Sequence, residues 1–79
     1  MLTEIRVPSL ANAGARLSIG RWFKSAGDAV SLDEPLVEID TDNLTREIRS
    51  PVDGVLSKIL VRDGASVETG TVLGTISQP

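Results

Sequence analysis

The chain has 79 residues, with eight Lys and Arg against eleven Asp and Glu, for a net charge of −3. It contains no Cys and no His, which excludes a disulfide framework, a thiolate or imidazole metal site and the commonest general base. The acidic balance and the presence of only two aromatics, Trp22 and Phe23, argue against nucleic-acid binding, which needs a basic patch.

At this length the expectation is one domain over residues 1–79, burying roughly 60% of the surface its unfolded chain exposes. No apolar run is long enough to cross a membrane, and Met1-Leu2-Thr3-Glu4 lacks a signal-peptide pattern. A soluble intracellular domain follows as an expectation, monomeric in isolation.

Short runs of strand-forming residues separated by turn residues predict an all-β fold. The first runs from Thr3 to Val7 and is stopped by Pro8. Next come Ala15 to Trp22, a short piece at Ala29-Val30, and Pro35 to Thr41. Asp42-Asn43 reads as a two-residue hairpin turn, since Asn and Asp tolerate positive φ. Leu44 to Arg49, Gly54 to Val61, Ser66-Val67 and Val72 to Ser77 complete the set. No window of helix length carries a 3.6-residue apolar period, so no helix is expected.

A displacement of 37 residues lays the second half on the first. Trp22 falls on Ile59, Phe23 on Leu60, Gly27 on Gly64, Val30 on Val67, Leu36 on Leu73 and Ile39 on Ile76. This predicts a pseudo-twofold flattened barrel-sandwich of two four-stranded sheets, in which each half covers the other's apolar face. Gly27-Asp28 and Asp63-Gly64 become equivalent tight turns. The expected core is Val7, Leu17, Ile19, Trp22, Val30, Leu36, Ile39, Ile48, Val55, Ile59, Val67, Leu73 and Ile76. The Asp42-Asn43 turn is expected at one end and both termini near the other.

In this order and spacing, Thr3-Glu4-Ile5-Arg6-Val7-Pro8, Trp22-Phe23-Lys24, Gly27-Asp28-Ala29-Val30, Asp33-Glu34-Pro35-Leu36-Val37-Glu38-Ile39, Thr41-Asp42 and Gly54-Val55-Leu56 with Asp63-Gly64 resemble a lipoyl domain of the biotinyl/lipoyl carrier family. The similarity is greatest to the domain heading the acyltransferase (E2) subunit of 2-oxoacid dehydrogenase complexes, especially the succinyltransferase of 2-oxoglutarate dehydrogenase. The resemblance implies a swinging-arm carrier domain, not an enzyme in itself, and a cytoplasmic location (the mitochondrial matrix in a eukaryote). It further implies the E1 dehydrogenase, the E3 dihydrolipoyl dehydrogenase and a lipoyl ligase as partners.

The family's acceptor lysine aligns with Asn43, flanked by Asp42 and Leu44. A carboxamide is not acylated as a lysine amine is, so no lipoate is expected on this sequence as written. Lys24 and Lys58 are the only lysines, and neither lies at the expected tip. Three origins fit Asn43: a deliberate substitution, divergence of a paralogue, or a designed sequence.

Other departures surround it. Ser9-Leu10-Ala11-Asn12-Ala13-Gly14 replaces the family's Gly-Glu-Ser loop, which helps partners recognise the domain. Arg46 replaces an apolar residue and is expected to seek an Asp or Glu near the hairpin.

The resemblance makes Gly27, Asp28 and Val30 a candidate recognition turn for a ligase; read alone, they are a turn glycine with a capping aspartate. Glu38 and Asp40, alternating with Asp42 on one strand face, are either an acidic patch read by a partner or a solvated outer face. The alternative function is a cofactor-free barrel-sandwich module that docks a partner or spaces domains. A biotin carrier is disfavoured because its Met-Lys-Met tip is missing. No catalytic residue and no metal ligand is expected.

Overall fold

The computed structural model describes residues 1–8, 16–41 and 45–79. These form eight strands and, among the described residues, no helix: β1 (Leu2–Arg6), β2 (Leu17–Trp22), β3 (Ala29–Val30), β4 (Pro35–Asp40), β5 (Thr45–Arg49), β6 (Gly54–Ile59), β7 (Ser66–Val67) and β8 (Val72–Ser77). They build two antiparallel four-stranded sheets, ordered β1-β8-β6-β3 and β5-β4-β2-β7. Exchanging β1 with β5, β2 with β6, β3 with β7 and β4 with β8 turns one order into the other, as a pseudo-twofold axis requires.

The 37-residue displacement carries β2, β3 and β4 onto β6, β7 and β8 residue for residue. It carries the hydrogen bonds too. Gly27 N donates to Leu56 O at 2.7 Å and Gly64 N to Ile19 O at 2.7 Å; Phe23 N donates to Leu36 O and Leu60 N to Leu73 O, both at 2.8 Å.

A second displacement, of 43, relates β1 to β5. Glu4-Ile5-Arg6-Val7-Pro8 recurs as Glu47-Ile48-Arg49-Ser50-Pro51. The six-residue excess is the longer connection after β1, which holds residues 7–16 where the second half has 50–53. Each arginine of the repeated motif bridges back to its own glutamate, Arg6 to Glu4 at 2.6 Å and Arg49 to Glu47 at 3.4 Å. Each also donates to a turn carbonyl of an adjoining element, Gly70 O at 3.0 Å and Asp33 O at 3.2 Å.

The core comprises Ile5, Val7, Leu17, Ile19, Val30, Leu36, Val37, Ile39, Leu56, Val67, Leu73 and Ile76, with Trp22, Ile48 and Ile59 packed half-buried against it. One expectation fails: Val55 is 42% exposed, and Leu56, fully buried, takes the core position. Strict alternation joins Val55 to Ile59, but a register shift between Leu56 and Lys58 changes the face presented partway along β6, as a bulge does. The shift between Pro35 and Val37 similarly buries the consecutive residues Leu36 and Val37.

Strand bounds also differ at ends. β1 closes at Arg6, with Val7 held outside it by Val7 N to Thr71 O at 3.0 Å. β6 closes at Ile59, two residues before the expected Val61.

Candidate functional site

β4 brings its hydrophobic residues inward and its acids outward. Pairing with β2 sets Asp40 beside Ser18 and Glu38 beside Arg21; pairing with β5 sets Asp40 beside Thr45 and Glu38 beside Glu47. Thr45 Oγ1 donates to Asp40 Oδ1 at 3.1 Å and ties the ends of the two strands together. Glu38 and Asp40 lean over β2 at Gly20, where an added Cβ would lie 2.8 Å from a carboxylate oxygen of each. The outer face thus holds an opposed like-charge pair, Glu38 and Glu47. Such a pair is unfavourable in a sheet, and here Arg49 beside Glu47 relieves it.

Because Asp40 and Thr45 are cross-strand partners, the β4–β5 connection is residues 41–44. Asn43 and its neighbours Asp42 and Leu44 lie outside the described residues. Arg46 stands opposite Ile39 on β5 and is exposed. Among the described residues the ion pairs are Arg6–Glu4, Lys24–Glu34 and Arg49–Glu47, so the acidic partner expected for Arg46 is not found there.

Gly27, Asp28 and Val30 belong to a different neighbourhood. Gly27 adopts φ +98°, a conformation that favours glycine. The Asp28 carboxylate accepts from Ser25 N at 2.8 Å, which makes it the cap of its own turn. Leu56 N donates to Asp28 O at 2.9 Å, docking the turn on β6. Val30 is buried and pairs with Gly54, so its side chain serves the core. The turn and the acidic face therefore sit on different sheets.

At the next turn, Glu34 accepts from Ser31 N at 2.9 Å and pairs with Lys24 at 3.0 Å. The backbone donor first, and the ammonium second, hold its carboxyl below the ordinary glutamate value. Among the described residues no cluster of three or more acidic groups could hold a metal ion.

The sequence signal that went unread was the Glu-Ile-Arg-x-Pro repeat. It marks β1 and β5 as twins, and so marks the β4–β5 connection as the counterpart of the paired chain ends, where Gln78 N donates to Met1 O at 2.9 Å. The two features consequently lie on opposite sides of the pseudo-twofold axis.

The biotin/lipoyl family model, described as biotin-requiring enzyme, matches residues 3–76. The dihydrolipoyllysine-residue succinyltransferase component of the 2-oxoglutarate dehydrogenase complex of Bartonella vinsonii subsp. berkhoffii is 47% identical over 76 residues, covering 96% of this chain and 18% of that protein. The same component of Rickettsia bellii is 42% identical over 78 residues, covering 99% of this chain and 20% of that protein. The chain thus spans about a fifth of the length of these relatives. The solution structure of the lipoyl domain of the 2-oxoglutarate dehydrogenase complex from Azotobacter vinelandii superposes with a TM-score of 0.79 at 32% identity, covering 95% of both chains.

Proposed function

The chain belongs to the biotin/lipoyl family, as a lipoyl domain of the 2-oxoglutarate dehydrogenase type, and we propose that its presenting turn carries Asn43 where lipoyl domains carry the acylable lysine. A lipoyl domain carries groups and catalyses nothing itself. The work of such a carrier is to hold an attachment residue at a mobile tip, where tethering raises its effective concentration at successive active sites. Among the described residues all eight strands of the fold are formed. The acceptor amine is what we propose to be lost.

The observation that carries this reading is the pairing of Asp40 with Thr45. It confines the connection to residues 41–44, and Asn43 is within that stretch. Lys24 is bound to Glu34 beside an internal turn, and Lys58 lies within β6, so neither substitutes for a tip lysine.

In a parent E2 chain the domain would face the E1 dehydrogenase and the E3 dihydrolipoyl dehydrogenase, in the cytoplasm of a bacterium. The second reading, a cofactor-free docking or spacer module, rests on the same carboxamide: a tip without an amine leaves the folded surface as the only thing to present. Co-expression with a lipoyl ligase followed by intact-mass measurement tests the primary reading. The unaltered chain should gain no mass, and a lipoyl increment on it would refute the proposal.

A further inference from the structure

We propose that a groove on the pseudo-twofold axis binds a small amphiphilic anion, an aliphatic body bearing one carboxylate, independently of the β4–β5 connection. The groove has a volume of about 550 Å³ and is lined by Trp22, Lys24, Ser25, Ala26, Ile59, Arg62 and Asp63. Three of its residue pairs, Trp22 with Ile59, Ser25 with Arg62 and Ala26 with Asp63, are exchanged by the 37-residue displacement. The groove therefore straddles the axis. Trp22 and Ile59 are both apolar, whereas Ser25 exchanges with Arg62 and Ala26 with Asp63, so at these pairs the charge lies on the side of the second half although the fold is symmetric.

Its floor is apolar because the polar atoms of Trp22 are already spent. The indole Nε1 donates to Val61 O at 2.8 Å and the Trp22 amide donates to Asp63 Oδ1 at 3.2 Å. What remains is a ring face beside the half-buried Ile59, a surface for aliphatic or aromatic carbon. At the rim, the Lys24 ammonium is held by Glu34 at 3.0 Å, and Asp63 is engaged by the Trp22 amide.

Arg62 is exposed and, among the described residues, makes no ion pair or side-chain hydrogen bond. It is the cation of the groove without an ion-pair partner among the described residues, set beside the carboxylate of Asp63, with five donors in a fork that matches a carboxylate. Carbon surface with one such group at its edge offers an amphiphile a partner for each of its ends. Charge complementarity to Arg62 selects an anion over a neutral amphiphile.

The chain's single tryptophan reports on the groove directly. Titration with octanoate, followed by Trp22 fluorescence and by NMR shifts of the indole N–H, should saturate. Octanamide, equal in length and uncharged, should bind about fivefold or more weakly, and Arg62→Ala should lower octanoate affinity by a similar factor. Arg62→Ala removes no ion pair or side-chain hydrogen bond among the described residues, so a loss of binding in a variant that melts with the unaltered chain reports on the site itself. Equal affinity for octanamide and octanoate, octanoate affinity unchanged in Arg62→Ala, or no saturable change at Trp22 below the concentration at which octanoate self-associates would each overturn the proposal.

Discussion

Gly27 and Gly64 hold the two halves together in the same way. The amide of each reaches 2.7 Å across to a carbonyl of the opposite half, Leu56 and Ile19 respectively, from backbone at φ +98° and +84°. Nothing lies within 4 Å of where a Cβ would stand at either position. The penalty for Gly27→Ala or Gly64→Ala is then purely conformational, about 1–2 kcal/mol, and it should be the same at both sites. Urea denaturation of the two variants checks this; a difference above about 1 kcal/mol would mean the turns are not equivalent.

Asp33 and Gly70 are another exchanged pair, at φ +67° and +87°. Asp33 N donates to Ser50 O at 2.8 Å and Gly70 N to Val7 O at 2.9 Å. Asp33→Gly relieves the left-handed strain at some cost in chain entropy, so a gain of up to about 1 kcal/mol is expected. Gly70→Ala should lose about 1–2 kcal/mol. A destabilised Asp33→Gly variant in the same urea titration would show that the aspartate side chain contributes more than its backbone costs.

Leu36 and Leu73 are fully buried equivalents at the second positions of β4 and β8, strands whose burial patterns are identical. Leu36→Ala and Leu73→Ala should each destabilise by about 2–5 kcal/mol. That is a large fraction of the stability of a small domain, so calorimetry should find either variant melting far below the unaltered chain. A change below about 1 kcal/mol at either site would contradict the packing.

Glu34 makes stability pH-dependent in a definite direction. Its folded-state pKa lies below its unfolded value, chiefly because Ser31 N donates to it and then because Lys24 pairs with it. The contribution is therefore present in full above the unfolded value of about 4.3 and is lost as pH falls through the lower folded value. Glu34→Gln should lower the urea midpoint at pH 7 and flatten its decline below about pH 4. An unchanged acid slope in the variant would remove Glu34 from the account.

Asn43→Lys is the direct test of the presenting turn. The connection joins Asp40 to Thr45, and Thr45 is exposed, so a longer side chain there should leave the fold, read by circular dichroism and melting, unchanged. With a lipoyl ligase the variant should gain one lipoyl group by intact mass. A folded Asn43→Lys protein that stays unmodified would place the divergence in Leu44, Arg46 and the loop at residues 9–14 as well.

The eight strands were legible because turn residues separate every apolar run, and because the two halves corroborate each other at a fixed displacement. Leu56 was legible too, since the displacement sets it on Ile19; strict alternation pointed instead to Val55, and a bulge in β6 overrode the alternation. Val37 escaped notice for the same reason, lying where a register shift buries two neighbours in succession. Bulges depend on how a strand meets its partners, which a single strand's sequence does not encode. The acidic face was readable from Glu38 and Asp40 alone. The crossing of their carboxylates over Gly20, and the opposition of Glu38 to Glu47, needed strand register to be seen.

Residues 1 and 78 lie side by side, as the two edges of one opening in the barrel. Met1 and Gln78 exchange hydrogen bonds, Met1 N to Gln78 O at 3.3 Å and Gln78 N to Met1 O at 2.9 Å, at the site that corresponds to the β4–β5 connection. A short turn joining Pro79 to Met1, with the chain reopened within residues 41–44, should give a circular permutant with the same sheets and the connecting turn moved across the axis. The symmetric strand orders make the two positions equivalent for the sheets, so the permutant should melt close to the unaltered chain.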